Sequence, residues 1–336
     1  MNNKTEIIKY NLTDPNADIM ILKNTYINNN IININNKSYS KIFLPTMYKS
    51  WTYKQTPHIN FNIKQNDNID IENNDILYIF DTWGISSYYH LLIDHIIPLW
   101  ITKNYIEELF LKKNLKIDNS YYYRVSNNNY NKELSTSNEI FKYFLKNNYK
   151  ENINGKFKYI IYGYCFNHRP YQGPNYKISY YDNYQFLLDK FICEFKKEST
   201  LHKKEKYIII PERSTRTNNI IIEDIYNSLN KIYNVLKIDF SKYSISEQIE
   251  ICSSSWAMIG CEGVAFANQI FMKKGSQIIV LCNEKDIDHI PFQSTIAKYM
   301  NHYFHTITFS NNITKNYNII EKILNILNNS NTNIKI

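Results

Sequence analysis

Trp256-Ala257-Met258-Ile259-Gly260-Cys261-Glu262-Gly263-Val264-Ala265-Phe266-Ala267-Asn268-Gln269-Ile270-Phe271-Met272 is the stretch that decides the fold of this chain. The apolar run Trp256 to Ile259 reads as a buried strand. It stops at a glycine pair, Gly260 and Gly263, and apolar residues at helical spacing follow from Val264 to Met272. A strand, a glycine turn and a helix start in succession turn backbone N–H groups outward, which suits a phosphate or a sugar nucleotide. Glu262 stands in the turn itself. Its carboxylate would repel a phosphate placed beside it. It therefore reads as an acceptor for ribose or sugar hydroxyls, or as favourable charge at the helix N-terminus.

Working outward, the same alternation recurs. Tyr207 to Ile210, Val235 to Ile238, Ile278 to Leu281 and Tyr303 to Phe309 read as strands. Ile221 to Leu229, Pro291 to Met300 and Ile319 to Leu327 read as helices. Ser244-Ile-Ser-Glu247 is a capping box that opens a further helix through Ile251. Gly275 is placed to stop the helix from Val264 to Met272. In the first half, Ile76 to Phe80 reads as a strand and Tyr88 to Trp100 as a helix, followed by a second helix from Tyr105 to Lys113. Strand Tyr121 to Val125, helix Glu139 to Leu145, strand Phe157 to Tyr162 and helix Tyr181 to Phe195 complete it, and residues 1–70 read as irregular strands among Asn-rich turns. Lys196 to Lys206 is a charged break, so the expected domains are 1–200 and 201–336. The pattern predicts an α/β protein of two doubly wound domains, with ligand at the carboxyl ends of the strands.

At 336 residues and 43% hydrophobic, the chain has ample core for two such domains. Its 30 Tyr, 7 Gly and abundant Asn, Ile and Lys share A- and T-rich codons, the usage of an AT-biased genome such as that of a microbe or large virus. The net charge of +8 comes from lysines spread along the chain, with no arginine-rich arm and no zinc-finger spacing. Nucleic acid is therefore not an expected partner. Five cysteines (Cys165, Cys193, Cys252, Cys261, Cys282), odd in number and without a CxxC, predict reduced thiols. The polar start, Met1 to Asp18, is unlike a signal peptide, and no apolar run approaches the length of about 18 residues that a membrane span needs. Together these predict a cytoplasmic setting without a membrane span.

Two more constellations fall at strand ends or helix starts. Pro211-Glu212-Arg213-Ser214-Thr215-Arg216 directly follows the strand Tyr207 to Ile210. Two guanidinium forks there match a diphosphate and keep their charge. The same loop also reads as a solvated one, with salt bridges to Glu212 or Glu223. Ser86-Ser87-Tyr88-Tyr89-His90-Leu91-Leu92-Ile93-Asp94-His95 opens a helix, with His90 and Asp94 four apart and so on one face. The pair can serve as a general base with its orienting carboxylate, contribute to a metal site given further ligands, or be a buried imidazole satisfied by a carboxylate.

The three constellations, in this order, resemble the family 61 glycosyltransferases. The matching pieces are Tyr88 to Leu99, the arginines Arg213 and Arg216, the "Ser-x-x-Glu-Gln-Ile" helix at Ser244 to Ile249, and a turn of the type "Gly-x-His-Gly-Ala-Gly-Leu-x-Asn-x-x-Phe-Met" at Gly260 to Met272. The likeness is good over about 80–285, and faint before that and from Lys103 to Lys206. It departs in the turn, where Glu262 stands for the family His and Ala265 and Phe266 replace small flexible positions. The resemblance implies a GT-B fold, two Rossmann-like domains facing a cleft. It further implies an inverting hexosyl- or pentosyltransferase that uses a nucleotide sugar, usually a UDP-sugar, as co-substrate, needs no obligatory metal, and acts on a glycan or glycoprotein hydroxyl. On that reading His90 and Asp94 (with His95 as competitor) supply the base. Arg213 and Arg216 hold the diphosphate, and Glu262, Gly263, Val264 and Asn268 line the donor site. The alternative, raised by Glu262, is a catalytically silent nucleotide-sugar or carbohydrate-binding protein on the same fold.

Overall fold

The computed structural model describes residues 8–11, 18–28, 31–33, 74–81, 88–125, 134–150, 155–162, 188–195, 207–212, 219–283, 290–309 and 318–331. The chain divides into two compact units, Met1–Arg169 and Pro170–Ile336. The division falls ahead of the charged break at 196–206.

In the first unit, β1 (Ile8–Asn11), β2 (Asp18–Asn28) and β3 (Ile31–Asn33) precede β4 (Ile76–Asp81). Helix α1 (Ile97–Lys112), β5 (Ser120–Val125), α2 (Leu134–Leu145), β6 (Tyr149–Lys150) and β7 (Gly155–Tyr162) follow. The sheet order is β1-β2-β7-β4-β5-β6, with β3 on β2. The run β7-β4-β5-β6 is parallel. Counted in order of appearance it reads 4-1-2-3, so the winding reverses between β4 and β7. The N-terminal strands are more regular than their Asn-rich sequence suggests, and β2 adds antiparallel to β7 from Met20 to Ile27. This sheet is therefore mixed, a doubly wound parallel core extended by an antiparallel edge. Phe110 of α1 meets Tyr159 of β7, and Phe141 of α2 meets Phe80 of β4, so helices close over both strands at the reversal.

The two helices expected between Tyr88 and Lys113 are one. Thr102 and Asn104, which fall between the two expected helices, donate to the carbonyls of Pro98 and Trp100 at 2.7 and 2.8 Å and are satisfied inside the helix. Lys103–Glu107 and Glu108–Lys112 pair at 3.0 and 2.8 Å across one turn. The helix is not uniform, because His90–Ile96 is wound as a π-helix. Pro98 explains the position. In an α-helix its ring would press on the carbonyl four residues back. The wider turn, closed by the Ile97 N–H on the Leu92 carbonyl, relieves that clash and returns to α-helix at Ile97.

In the second unit, helix α3 (188–195) comes first. Its Asp189 meets Lys274 Nζ at 2.8 Å. β8 (Tyr207–Pro211), α4 (Asn219–Leu229), β9 (Val235–Ile238), α5 (Ile245–Ser254) and β10 (Ser255–Cys261) follow. A 3-10 helix at Val264–Phe271 leads to β11 (Gln277–Asn283), α6 (Ile290–Tyr299), β12 (Tyr303–Phe309) and α7 (Ile319–Asn331). All pairings are parallel in the order β12-β11-β10-β8-β9. In order of appearance the sheet reads 5-4-3-1-2, and the winding reverses between β8 and β10. On one face Ile208, Ile210, Ala257, Ile259, Ile279 and Leu281 bury against Ile222, Ile225 and Leu229 of α4 and Ile319, Ile323 and Leu327 of α7. By the two-residue period of strands, Ile209, Met258 and Val280 point to the other face. There α5 and α6 each pack on the 3-10 helix.

Two expectations change here. The segment after β10 is a 3-10 helix rather than an α-helix, with Phe266 N–H on the Gly263 carbonyl (3.1 Å) and Met272 N–H on that of Gln269 (3.0 Å). Every residue from Phe266 to Phe271 is buried, so packing on both sides sets its winding. Gly275 does not stop it, because the 3-10 helix ends at Phe271. Gly275, at φ +82°, is the third residue of a turn closed by the Ser276 N–H on the Lys273 carbonyl (3.2 Å). That backbone conformation favours glycine.

On β12, His305 Nε2 lies 3.0 Å from Gln277 Oε1, and burial pushes the imidazole below the usual histidine range. The unfolded chain then takes up this proton more readily than the folded one. The second unit should lose stability as pH falls from about 6.5 through the depressed value. Urea midpoints at pH 7.5 and pH 5 check this, and His305→Gln should flatten that part of the dependence.

Candidate active site

The candidate site of the second unit lies at the reversal of its sheet, where a doubly wound domain leaves a crevice at the strand ends. Two backbone ladders run one residue past their strands. Glu212 N–H donates to the Ile238 carbonyl at 2.7 Å, and Glu262 N–H to that of Leu281 at 2.9 Å. The loop carrying Arg213 and Arg216 therefore leaves the sheet at Glu212, and the glycine turn leaves it at Glu262. Gly260 explains how these two ends come together. A Cβ at Gly260 would sit 3.2 Å from Pro211 Cδ and 3.8 Å from two atoms of the Phe266 ring. The proline that starts the arginine loop packs where a side chain on β10 would otherwise stand. Arg213 and Arg216 themselves lie outside the described residues.

Within the turn, Gly263 is extended (φ 163°, ψ 177°) and buried, Val264 is exposed and Glu262 half-buried. Glu262 and Val264 are thus open to a ligand. Asn268 is different: it is fully buried, and its amide donates to Gln248 Oε1 at 3.0 Å. Gln248 in turn donates to the carbonyls of Phe240 and Tyr243, both at 3.0 Å. One buried amide thus ties the loop before α5, α5 itself and the 3-10 helix together. Asn268 serves the turn from within. The capping box forms as expected, with Ser244 N–H on Glu247 Oε2 at 2.8 Å and Glu247 N–H on Ser244 Oγ at 3.3 Å. The hydrogen bonds from Ser244 hold the Glu247 carboxyl below its usual range.

Gln248 reads only as part of the Ser244 to Ile249 helix motif, and Lys237 belongs to no motif. Gln248 could have been found as the amide on the apolar face that also carries Ile249 and Cys252. Lys237 had no local signal. Its ammonium meets Glu223 Oε2 at 2.6 Å and Glu212 Oε1 at 3.2 Å. Both carboxylates expected as alternative partners for the arginines are thus engaged by one lysine.

In the first unit, the helix bearing His90 follows β4, again at the strand beside the reversal. His90 is half-buried, its ring edge-on to Tyr89 at 5.7 Å and 86°. His95 is 1% exposed, which leaves His90 as the histidine of the pair within reach of a ligand. Asp94 lies in the π-helix, and its side chain is outside the described residues. Among the described residues no group of three or more His, Cys, Asp or Glu is placed to hold a metal, and no helix is long and apolar enough to cross a membrane. Cys193, Cys252, Cys261 and Cys282 are thiols rather than disulfides.

A mixed sheet with a parallel core, and a parallel sheet whose winding reverses beside a glycine turn, place the chain in the α/β class, in a form compatible with a Rossmann-like glycosyltransferase. A family model described as Glycosyltransferase 61 matches residues 88–279, more than half of the chain. The protein belongs to glycosyltransferase family 61. No curated protein sequence matches it. Among solved structures it is similar to a diflavin flavoprotein from Nostoc sp., at 11% identity over 32% of this chain and 80% of that one, with a TM-score of 0.26. A likeness that slight carries no argument about fold or function.

Proposed function

We propose that this glycosyltransferase is an inverting enzyme that moves a sugar from a nucleotide-sugar donor, of the UDP-sugar kind, to a hydroxyl of a glycan or glycoprotein. Its two units would be the acceptor-side and donor-side halves of a GT-B enzyme. The observation that carries the reading is the packing of Pro211 on Gly260, which joins the start of the arginine loop to the glycine turn at the reversal of a parallel sheet.

In this mechanism the acceptor oxygen attacks the anomeric carbon from the face opposite the diphosphate. Its proton passes to His90, or to Asp94 acting through or beside it. The bond from the anomeric carbon to the diphosphate oxygen breaks, and the electron pair leaves with the nucleoside diphosphate. Arg213 and Arg216 stabilise that charge as it develops, so no metal is obligatory for this step. Backbone N–H groups at the start of the 3-10 helix lack intrahelical partners and would add donors for the same anion. Glu262 accepts hydrogen bonds from ribose or sugar hydroxyls, as its charge requires. Gly263 and Val264 give the donor a close approach to backbone.

A panel of nucleotide sugars tests this by thermal shift, followed by nucleotide release in the presence of glycan acceptors. One donor class should raise the melting temperature and release its nucleotide in an acceptor-dependent way. Stabilisation by a donor with no release against any acceptor would leave a binding protein instead of an enzyme.

A further inference from the structure

Ile106 and Phe110 mark the side of α1 that faces the first sheet. They are 1% and 3% exposed, and the Phe110 ring meets Tyr159 of β7 at 4.6 Å. An α-helix advances about 100° per residue. Unbroken from His90 onward, that winding would set His90 about 160° from both residues, away from the sheet and in line with Glu108. The π-helix over His90–Ile96 changes this. Its wider turns advance only about 80° per residue, so its seven residues set His90 back by roughly 130°. His90 then falls within about 35–75° of Ile106 and Phe110, on the sheet side. His95 lies two residues before the return to α-helix and is 1% exposed. Either winding leaves it within about 20° of Ile106, so the π-helix turns His90 and leaves His95 facing the core.

Burial does not choose between the two windings. Leu91, Leu92, Ile93, Ile96 and Ile97 are each at most 3% exposed, so aliphatic residues ring the segment and either winding would bury some of them. The choice falls to Pro98, whose ring bars the tighter turn and which has no N–H to close it. We propose that Pro98 is a positioning residue: through the π-helix it turns His90 to the sheet side of the helix, over the carboxyl ends of the strands beside β4. A doubly wound sheet takes its ligand at those ends. The inference rests on the reading of His90 as general base given above.

Pro98→Ala removes the ring and restores the N–H, so the segment can wind as α-helix and carry His90 away from the sheet. The 336-residue chain, with histidines labelled with carbon-13 at Cε1, reports this by NMR, the resonances being assigned with His90→Gln and His95→Gln. In Pro98→Ala the His90 resonance and its titration midpoint should move, while those of His95 stay. Nucleotide release from each UDP-sugar of the panel above, with glycan acceptors, should show kcat lower by about 10- to 100-fold and a KM for donor within about threefold of wild type. The decisive variant is Pro98→Ala with Ile93 deleted. The π-helix holds about one residue more than an α-helix of the same reach, so the deletion lets α winding bring His90 back to within about 30° of its native direction. The His90 resonance should return, and kcat should recover to within about threefold of wild type. A proline that only stabilised the helix would not be rescued by a deletion. Should the deletion variant not fold, the His90 resonance in Pro98→Ala decides alone. An unmoved His90 resonance there, or a folded deletion variant without recovery of kcat, overturns the role of Pro98 alone. A displaced His90 with unchanged kcat, or a wild type that releases no nucleotide from any UDP-sugar, overturns His90 as the base and this inference with it.

Discussion

Replacing Gln248 by glutamate should cost the second unit about 3–5 kcal/mol at neutral pH, because it puts a carboxylate where a buried amide now makes three hydrogen bonds. The wild-type amide gives its two N–H bonds to the Phe240 and Tyr243 carbonyls and receives one from Asn268. An ionised carboxylate in its place could still accept from Asn268, but it would face two carbonyl oxygens with no proton to offer. Burial and those oxygens would raise its folded pKa above the unfolded value of about 4.3. Below that value the folded state holds a proton and can donate to one carbonyl, so the penalty is smallest there. It grows as pH rises through the interval between the two pKa values. Gln248→Met lacks a titrating group, and its loss should not change with pH. Chemical denaturation of both variants at pH 4.5 and pH 7.5 separates them. Equal penalties for Gln248→Glu at both pH values would mean that the amide is not the buried hub described here.

His90→Gln should lower kcat by about 10²- to 10⁴-fold, the range of a lost general base, with much less effect on the KM for donor. The contrast with His95 makes the result informative. His95 is buried, and His95→Gln should act on the stability of the first unit, by about 1–3 kcal/mol for a disturbed buried polar group. Single-turnover rates and melting curves on the two variants tell these apart. A His90→Gln enzyme with full kcat would move the base to Asp94.

Much of the fold was legible because its signals are local. The apolar run into Gly260, the capping box at Ser244 and the strand–helix alternation after Tyr207 all depend on neighbours within a few residues, and the strands of the second unit formed close to their expected bounds. What sequence could not carry was winding and partnership. Asn and Thr inside α1 look like breakers, but a hydroxyl and an amide satisfied four residues back keep the helix whole. The π-helix over His90–Ile96 answers to Pro98, which the expected helix from Tyr88 to Trp100 ran through without a change of winding. The 3-10 winding after β10 depends on packing against α5 and α6. Of the candidate site, Glu262 is half-buried and Val264 exposed, whereas the Asn268 amide is buried on a glutamine twenty residues earlier. Sequence spacing has no access to such a pairing, nor to that of Lys237 with carboxylates on two other elements.

The Lys237 cluster bears on the protein's behaviour in crowded solution. Among the described residues β9 is the border strand of the second sheet, and a strand at that position offers N–H and C=O groups to any other extended chain. Here the strand is four residues long and carries a lysine locked to two glutamates. A short, charged border of this kind discourages strand-to-strand association between molecules. The ion pairs of Lys237 with Glu212 and Glu223 should therefore disfavour aggregation along this side of the sheet.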